Sequence, residues 1–599
     1  MKDAGFGAGA AVAIAVVLAL TLAGVAVVGE RQGLSFEQLM AGDPAAAAPV
    51  ANHFFMPQDG AAKALHRLSG AIRIPQHAMR TIPAKLEPAE LAGKRTQLFP
   101  GIELHVVSHG EYLVPVERDI LIARDGDSFW QIQVSPGRVW SEAGDRGMSR
   151  ASFPFFLTSI IENETYNGVA TFLYDDEKIS PLRYQIVQQL SPFMLKTWFV
   201  AAGQPAVSYR PGPIDDKELI ADFEAELKDR LVWPDWSELE AKYGKQLFAD
   251  FDSGIEPRLV VTSGLVIDGE VYVRSMDTPY GPYPYPREMR HGVWSVTKTA
   301  AGLVTLLRMA QKYGDEILDY KIADYLDVTA PHKGWDEVKF RHASSMATGI
   351  GTGPTNTDPN IIGSGDASGG ADPAALAAYM DWYLAPTLAA KLHHVFQVPN
   401  YPWGPGEFAR YRDRDIFTLS AALDSLYKRK EGADADLWQM MLDEVYGPIG
   451  IHHMPMNRTQ EPKGRGVPIL AWGIYLTVDD IAKIGMLLQS GGAHDGVQLL
   501  SKAGVAEALY ETDVRGLPTG GENEFGQQTY HLSLWHEPYR TASGKLYSVP
   551  KMSGYGGNEV QLMPNGIIGF RLGNGGDKPL EQMVIIADKI RPFDRHPRR

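Results

Sequence analysis

Not one of the 599 residues is a cysteine, and no other single feature constrains the fold more. Disulfide staples, thiolate metal sites and a cysteine nucleophile are excluded together. The chain must be held by packing and hydrogen bonds. It has the means, since 44% of its residues are hydrophobic and 10% aromatic, the make-up of a globular protein rather than a disordered one. Its length suggests roughly two to four domains of ordinary size. The formal charge of -15, with no run of five or more basic residues to offset it, argues against a nucleic-acid partner, whose phosphates would be repelled.

The amino terminus stands apart. Ala4 to Gly29 holds no charged residue and is mostly Ala, Val, Leu and Gly. At 1.5 Å per residue such a run spans about 39 Å, enough for a ~30 Å hydrocarbon core. Residues 1–30 therefore read as a signal peptide or a membrane anchor. The single Lys2 and the long apolar run favour the uncleaved anchor. Either reading places the remainder outside the cytoplasm, in the periplasm or its equivalent. Residues 31–53, including the AGDPAAAAPVA stretch from Ala41, read as a linker.

From 54 to 236 the pattern is of strands separated by turns: Ile102 to Val107, Asp119 to Ala123, Phe129 to Val134 and Val169 to Tyr174, then a helix over Asp215 to Leu231. This is a β-rich accessory domain with a binding or scaffolding role by default. Asn163-Glu164-Thr165 matches a glycosylation sequon, a tripeptide too short to carry weight. From 244 to 599 helices and strands mix. Arg258 to Ile267 and Glu270 to Arg274 flank Asp268-Gly269, a hairpin signal. A helix is predicted over Val478 to Gln489 with Thr477 as its cap, a second hairpin over Glu559 to Leu572, and a closing amphipathic helix over Leu580 to Ile590.

Three Ser-x-x-Lys sequences occur: Ser295/Lys298, Ser425/Lys428 and Ser548/Lys551. Nucleophilic catalysis by such a pair needs both side chains on one face of a helix's first turn, where i and i+3 are neighbours. It also needs an apolar helix behind them, to desolvate the amine and free it as a base. Ser295 fits: it follows a Pro- and Tyr-rich loop and opens a helix running to Tyr313, with Ala300, Leu303, Val304, Leu307 and Ala310 as its buried face. Ser425 sits near a solvated helix end and Ser548 precedes Pro550 in a short segment ahead of a strand; both read as decoys.

Around Ser295 the chain resembles the serine β-lactamase and penicillin-binding protein superfamily, in its class C and esterase-like branch. The resemblance runs from about Gly244 to the end. It rests on the opening strand pair, the Ser295-Val296-Thr297-Lys298 helix, and Leu318-Asp319 to Tyr325-Leu326. Val338 to His342 leading to Thr348-Gly349, and Trp472 to Ala482, complete it. It implies a mixed α/β fold, a β-lactamase/transpeptidase-like domain whose antiparallel sheet is flanked by helices, preceded here by the β-rich domain. It implies Ser295 as nucleophile, Lys298 as base and, through Tyr411-Arg412-Asp413 after Pro405-Gly406, Tyr411 as a partner in proton transfer. Tyr555-Gly556-Gly557 best matches the family's third motif. The implied oxyanion donors are the backbone N–H groups of Ser295 and Asn558, and the substrate-binding residues are Asp413, Tyr555, Gly556 and Gly557. The implied partner is a small-molecule ester or amide, with no cofactor and no metal.

Two departures matter. Where the family has asparagine, Asp413 would favour the ammonium form of Lys298, the wrong direction for a base; Arg412 or Arg414 could neutralise it, or it could recognise a cationic substrate. Tyr555 replaces a cation that attracts a substrate carboxylate, which favours neutral esters or amides over β-lactams. A β-lactamase or D-alanyl peptidase, a non-catalytic sensor on the same fold, and a membrane-tethered scaffold whose N-terminal domain does the work remain as alternatives. The pairs His393-His394 and His452-His453 lack a carboxylate at ligand spacing. No Gly-x-Ser-x-Gly elbow is present. Gly349 to Gly370 lacks periodicity and reads as a loop beside the site.

Overall fold

The computed structural model describes residues 31–42, 47–82, 93–123, 126–190, 192–194, 199–353, 373–575 and 581–595. The apolar run of residues 4–29 and residues 354–370 of the loop beside the site lie outside the described residues. Among the described residues no helix is long and apolar enough to cross a membrane.

The first half of the chain forms an eleven-stranded antiparallel sheet. Its centre is the hairpin Ser149–Thr158 and Tyr166–Tyr174, in which every residue is buried. Side chains alternate between the faces of a strand, and here both faces are covered. Tyr166, Ala170, Phe172 and Tyr174 enter the sheet's own core with Ile72, Leu104, Phe153 and Tyr184. Val169 and Leu173 face the other way, into the core of the second domain. Strands cover Ile102–His109 and Gln131–Val134 as the sequence predicts. Over Asp119 to Ala123 only Leu121 pairs, in a single bridge to Ile132. The helix Lys217–Lys228 packs along this sheet through Phe223 on Tyr112 and the Arg118–Glu226 ion pair.

The second domain is built on an eight-stranded antiparallel sheet, in the order Glu270–Val273, Val260–Ile267, Ile568–Gly573, Asn558–Leu562, Leu546–Gly554, Leu534–Arg540, Gly526–His531 and Leu517–Asn523. Helices cover both faces. Trp236–Tyr243 and Glu581–Ile590 lie on one, burying Leu239, Val549, Met583 and Ile586 together. Val304–Tyr313 and Val478–Gln489 lie on the other, continuous with a helical lobe that includes Pro373–Leu384, Leu388–Phe396 and Asp413–Glu431. Thr477 caps its helix in a reciprocal box with Asp480. The hairpin turn at Asp268 and Gly269 has φ of 54° and 85°, the doubly left-handed turn that suits the strand twist.

The described residues of 31–53 are not a free linker. Arg31 bonds Glu142 and the carbonyls of Phe54 and Met56, Leu34 and Leu39 are buried, and Asn52 donates to Thr278 and Gly281 of the second domain. The segment is a strap that ties the two sheets together.

Candidate active site

The approach to Ser295 is a sharp turn. His291–Gly292 pairs with Tyr475–Leu476, and two residues later Trp294 takes a left-handed φ of 50°. For a bulky residue that conformation costs about 1–2 kcal/mol. It is offset by a 2.6 Å hydrogen bond from the Trp294 N–H to Asn163 Oδ1 of the N-terminal sheet. The turn ends at Ser295, half-buried, and the chain enters a helix whose segment Lys298–Leu303 is π-helical and fully buried before α-helix continues to Tyr313. Gly314, with φ of 113°, stops it.

Lys298 is 1% exposed. Its Nζ donates to Ser295 Oγ at 2.6 Å, to Asp413 Oδ1 at 2.6 Å and to the Ala471 carbonyl at 2.8 Å. Three acceptors around one nitrogen match the three N–H bonds of an ammonium group. The ring of Tyr411 lies 5.1 Å from the same nitrogen, stacked on Trp535 and edge-on to Tyr530. Asp413 opens the helix Asp413–Glu431, where the helix dipole favours a carboxylate. Its second oxygen accepts from the Tyr379 hydroxyl at 2.9 Å. Arg412 pairs with Asp415, and the Arg414 guanidinium lies over Tyr379 and Trp382. Asp413 forms an ion pair with Lys298.

Ser295, Tyr411, Asp413 and Tyr555 all line one cavity of about 320 Å³, along with Ser553 and Gly554. Its remaining wall is aromatic: Phe193, Trp294, Tyr379, Tyr383, Trp472 and Trp535. Burial holds the Tyr383 hydroxyl well above the ordinary phenol range, with Glu162 adding to it. Among the described residues that line this cavity none is a lysine, arginine or histidine. Behind the wall lies Lys391, its Nζ bonded to the carbonyls of Trp382 and Tyr383 and facing the rings of Trp382, Phe417 and Trp472. Burial pushes its pKa down to about 7.

The third segment sits differently from expectation. Gly556 and Gly557 have φ of 85° and 83°, and two left-handed residues in succession make a turn, not a strand. The strand that borders the cavity ends earlier, at Gly554. A Cβ on Gly554 would lie 2.2 Å from Val293 O and 3.1 Å from Ser295 N, so only glycine lets this strand reach the backbone at Ser295. Asn558 starts the next strand, is fully buried, and donates from Nδ2 to Tyr555 O while its Oδ1 accepts from Gly573 N–H. It does not line the cavity; nor do Gly556 and Gly557.

The other two Ser-x-x-Lys pairs have structural partners. Ser425 donates to the Tyr325 carbonyl and Lys428 pairs with Asp424. Ser548 lies within the strand Leu546–Gly554, near His536, and Lys551 pairs with Glu537 and Glu559. Asn163 of the sequon is fully buried. His452 and His453 both contact Asp222, from the helix Lys217–Lys228. Sequence reasoning missed Tyr379, Tyr383 and the tryptophans of the wall, whose segments carry no spacing that marks a pocket. Phe193, from the other domain, could not have been found that way.

No family model matches the chain, and no curated protein does. Similar solved structures are consistently of the serine β-lactamase, penicillin-binding protein and family VIII carboxylesterase kind. A penicillin-binding protein homologue from Caulobacter crescentus is 19% identical, over 60% of this chain and 98% of its own, with a TM-score of 0.38. A family VIII carboxylesterase is 18% identical over 58% and 96%, with a TM-score of 0.38. A D-stereospecific amidohydrolase from a Streptomyces species is 14% identical over 58% and 98%, with a TM-score of 0.37. At these values the chemistry has to be read from the side chains.

Proposed function

We propose that the chain is a serine hydrolase that cleaves neutral esters or amides through an acyl-enzyme on Ser295. The observation that carries this reading is the placement of one buried amine, Lys298, 2.6 Å from both a half-buried serine hydroxyl and a carboxylate, at the edge of an aromatic cavity.

Asp413 gives the amine somewhere to leave its proton. Lys298 passes one proton to Asp413; the neutral amine then takes the hydroxyl proton as Ser295 Oγ attacks the carbonyl carbon. The pair's total proton count before attack is that of the resting ion pair, so no proton has to be lost to solvent first. As the tetrahedral intermediate collapses, Lys298, assisted by the Tyr411 phenol, returns a proton to the leaving alkoxide or amine. Water then attacks the acyl-enzyme by the same relay in reverse order, and Ser295 is released. The oxyanion is received by the N–H groups of Ser295 and of Tyr555, the residue after Gly554. One such donor is typically worth about 3 kcal/mol in the transition state. Lys298, beside the cavity, is already engaged by Asp413, and neutral acyl groups suit the aromatic residues that line it.

Labelling by a fluorophosphonate probe tests the reading: it is abolished in Ser295→Ala and preserved in Ser425→Ala. p-Nitrophenyl esters, nitrocefin and D-alanyl peptides then define the substrate class. A wild-type protein that neither labels nor turns over any of them is not a serine hydrolase.

A further inference from the structure

The N-terminal sheet does not merely lean on the hydrolase domain. Its central hairpin closes through residues 159–165, and Ser159, Glu162, Asn163, Glu164 and Thr165 are all fully buried. Loops ordinarily run over the surface, because a buried one must find partners for its polar groups. Several of this loop's groups find theirs in the walls of the active site. Asn163 Oδ1 accepts from the Trp294 N–H at 2.6 Å and its Nδ2 donates to the Ile474 carbonyl at 3.1 Å. The Ile161 carbonyl accepts from the Trp472 indole at 3.0 Å. The Glu162 carboxylate receives the N–H groups of Phe193 and Met194 at 2.9 and 2.7 Å. Three aromatic residues of the cavity, Trp294, Trp472 and Phe193, are thus fastened to one loop. The approach is so close that a Cβ on Gly292 would stand 1.5 Å from Asn163 O.

Phe193 itself belongs to the N-terminal sheet domain and reaches across to the cavity. Its ring meets Tyr555 edge-on at 4.7 Å and Trp294 at 5.6 Å. It stands beside the nucleophile's turn and the end of the strand that borders it.

Resting on the hydrolase reading above, we infer that the N-terminal domain is a working half of the active site: Asn163 is a positioning residue that holds the left-handed Trp294 and so aims Ser295, and Phe193 is the wall that sets which acyl groups fit. A bare hydrolase domain would have neither the pinned turn nor this wall.

The test uses the full chain and p-nitrophenyl esters from acetate to decanoate. Phe193→Ala moves the optimum of kcat/KM to a longer acyl chain, and Phe193→Trp moves it to a shorter one. An optimum that stays put in both variants overturns the assignment of Phe193. Asn163→Leu, close in size but without either hydrogen bond, lowers kcat about 100-fold, the scale of a misplacement of about 1 Å at a reacting group, with KM changed by less than about threefold. A kcat within about twofold of wild type overturns the positioning role. If Asn163→Leu fails to fold, the slowed labelling of Ser295 in Asn163→Ser at a temperature well below its melting point takes its place, and an unchanged labelling rate overturns the role. Absence of any labelling or turnover in the wild type is a different result: it removes the hydrolase reading, and this inference with it.

Discussion

Lys298 Nζ and Asp413 Oδ1 lie 2.6 Å apart, and the same nitrogen lies 2.6 Å from Ser295 Oγ. A lysine so placed cannot be a free base while its proton is shared with a carboxylate, and Asp413 therefore decides how the serine loses its proton. In Asp413→Asn the relay has no end. The amine must then lose its proton to solvent before each attack. The expected outcome is a fall in kcat/KM of about tenfold or more at neutral to acidic pH, recovering as the pH is raised. A pH–rate profile checks it. A variant more active than wild type near neutrality would show that Asp413 restrains Lys298 rather than serving it.

Tyr411 is stacked on Trp535 and faces Lys298. Tyr411→Phe keeps the ring and its packing and removes only the hydroxyl. kcat should drop by about 100-fold or more, the range of a lost acid–base group, with little change in melting temperature. Steady-state kinetics beside a thermal melt separates the two effects.

Gly554→Ala places a methyl group 2.2 Å from the Val293 carbonyl. Strand and turn must part to make room, which moves Ser295 relative to the Tyr555 N–H. Fluorophosphonate labelling should slow by about 100-fold or more, the worth of one oxyanion donor and its alignment. Gly566→Ala, at a turn with φ of 86° and nothing within 4 Å, should destabilise modestly and leave labelling per folded molecule intact.

Lys391 gives a pH dependence of stability. Its pKa is pushed down to about 7 in the fold, against about 10.4 when unfolded. Between those values the unfolded chain binds a proton that the folded one does not, so stability rises with pH across the window. Below the folded value both states are protonated and burial imposes its full cost. Lys391→Met removes this dependence. The melting temperature of the variant relative to wild type should be most favourable near pH 6.5 and decline steadily towards about pH 10; a flat difference over that range would contradict it.

What could be read from the sequence is what depends on near neighbours. Ser295 and Lys298 are three residues apart, and a helix alone brings them together, so the pair could be ranked above Ser425/Lys428 and Ser548/Lys551 without coordinates. Thr477 announces its helix by local capping, and Asp268-Gly269 announces its hairpin by the φ values it permits. In the third segment a run of Tyr, Gly, Gly and Asn suits a strand end or a turn equally; the left-handed φ of Gly556 and Gly557 makes it a turn, and Asn558 is not among the residues lining the cavity. Residues 41–51 read as a linker because they are small, Ala-rich and punctuated by Gly and Pro, while Arg31 and Asn52 on either side find distant partners in Glu142 and Thr278.

The sequence by itself determined that Ser295 and Lys298 sit one helical turn apart, that strands dominate the first part of the chain and that covalent staples are absent, since each follows from composition or from contacts within a few residues. Only the tertiary structure decided that Asp413 pairs with Lys298, that Gly554 borders the serine, and that Asn163 and Phe193 of the first domain complete the site. Those contacts join residues 100 or more positions apart, and their geometry is set by how two sheets pack, which no local pattern encodes.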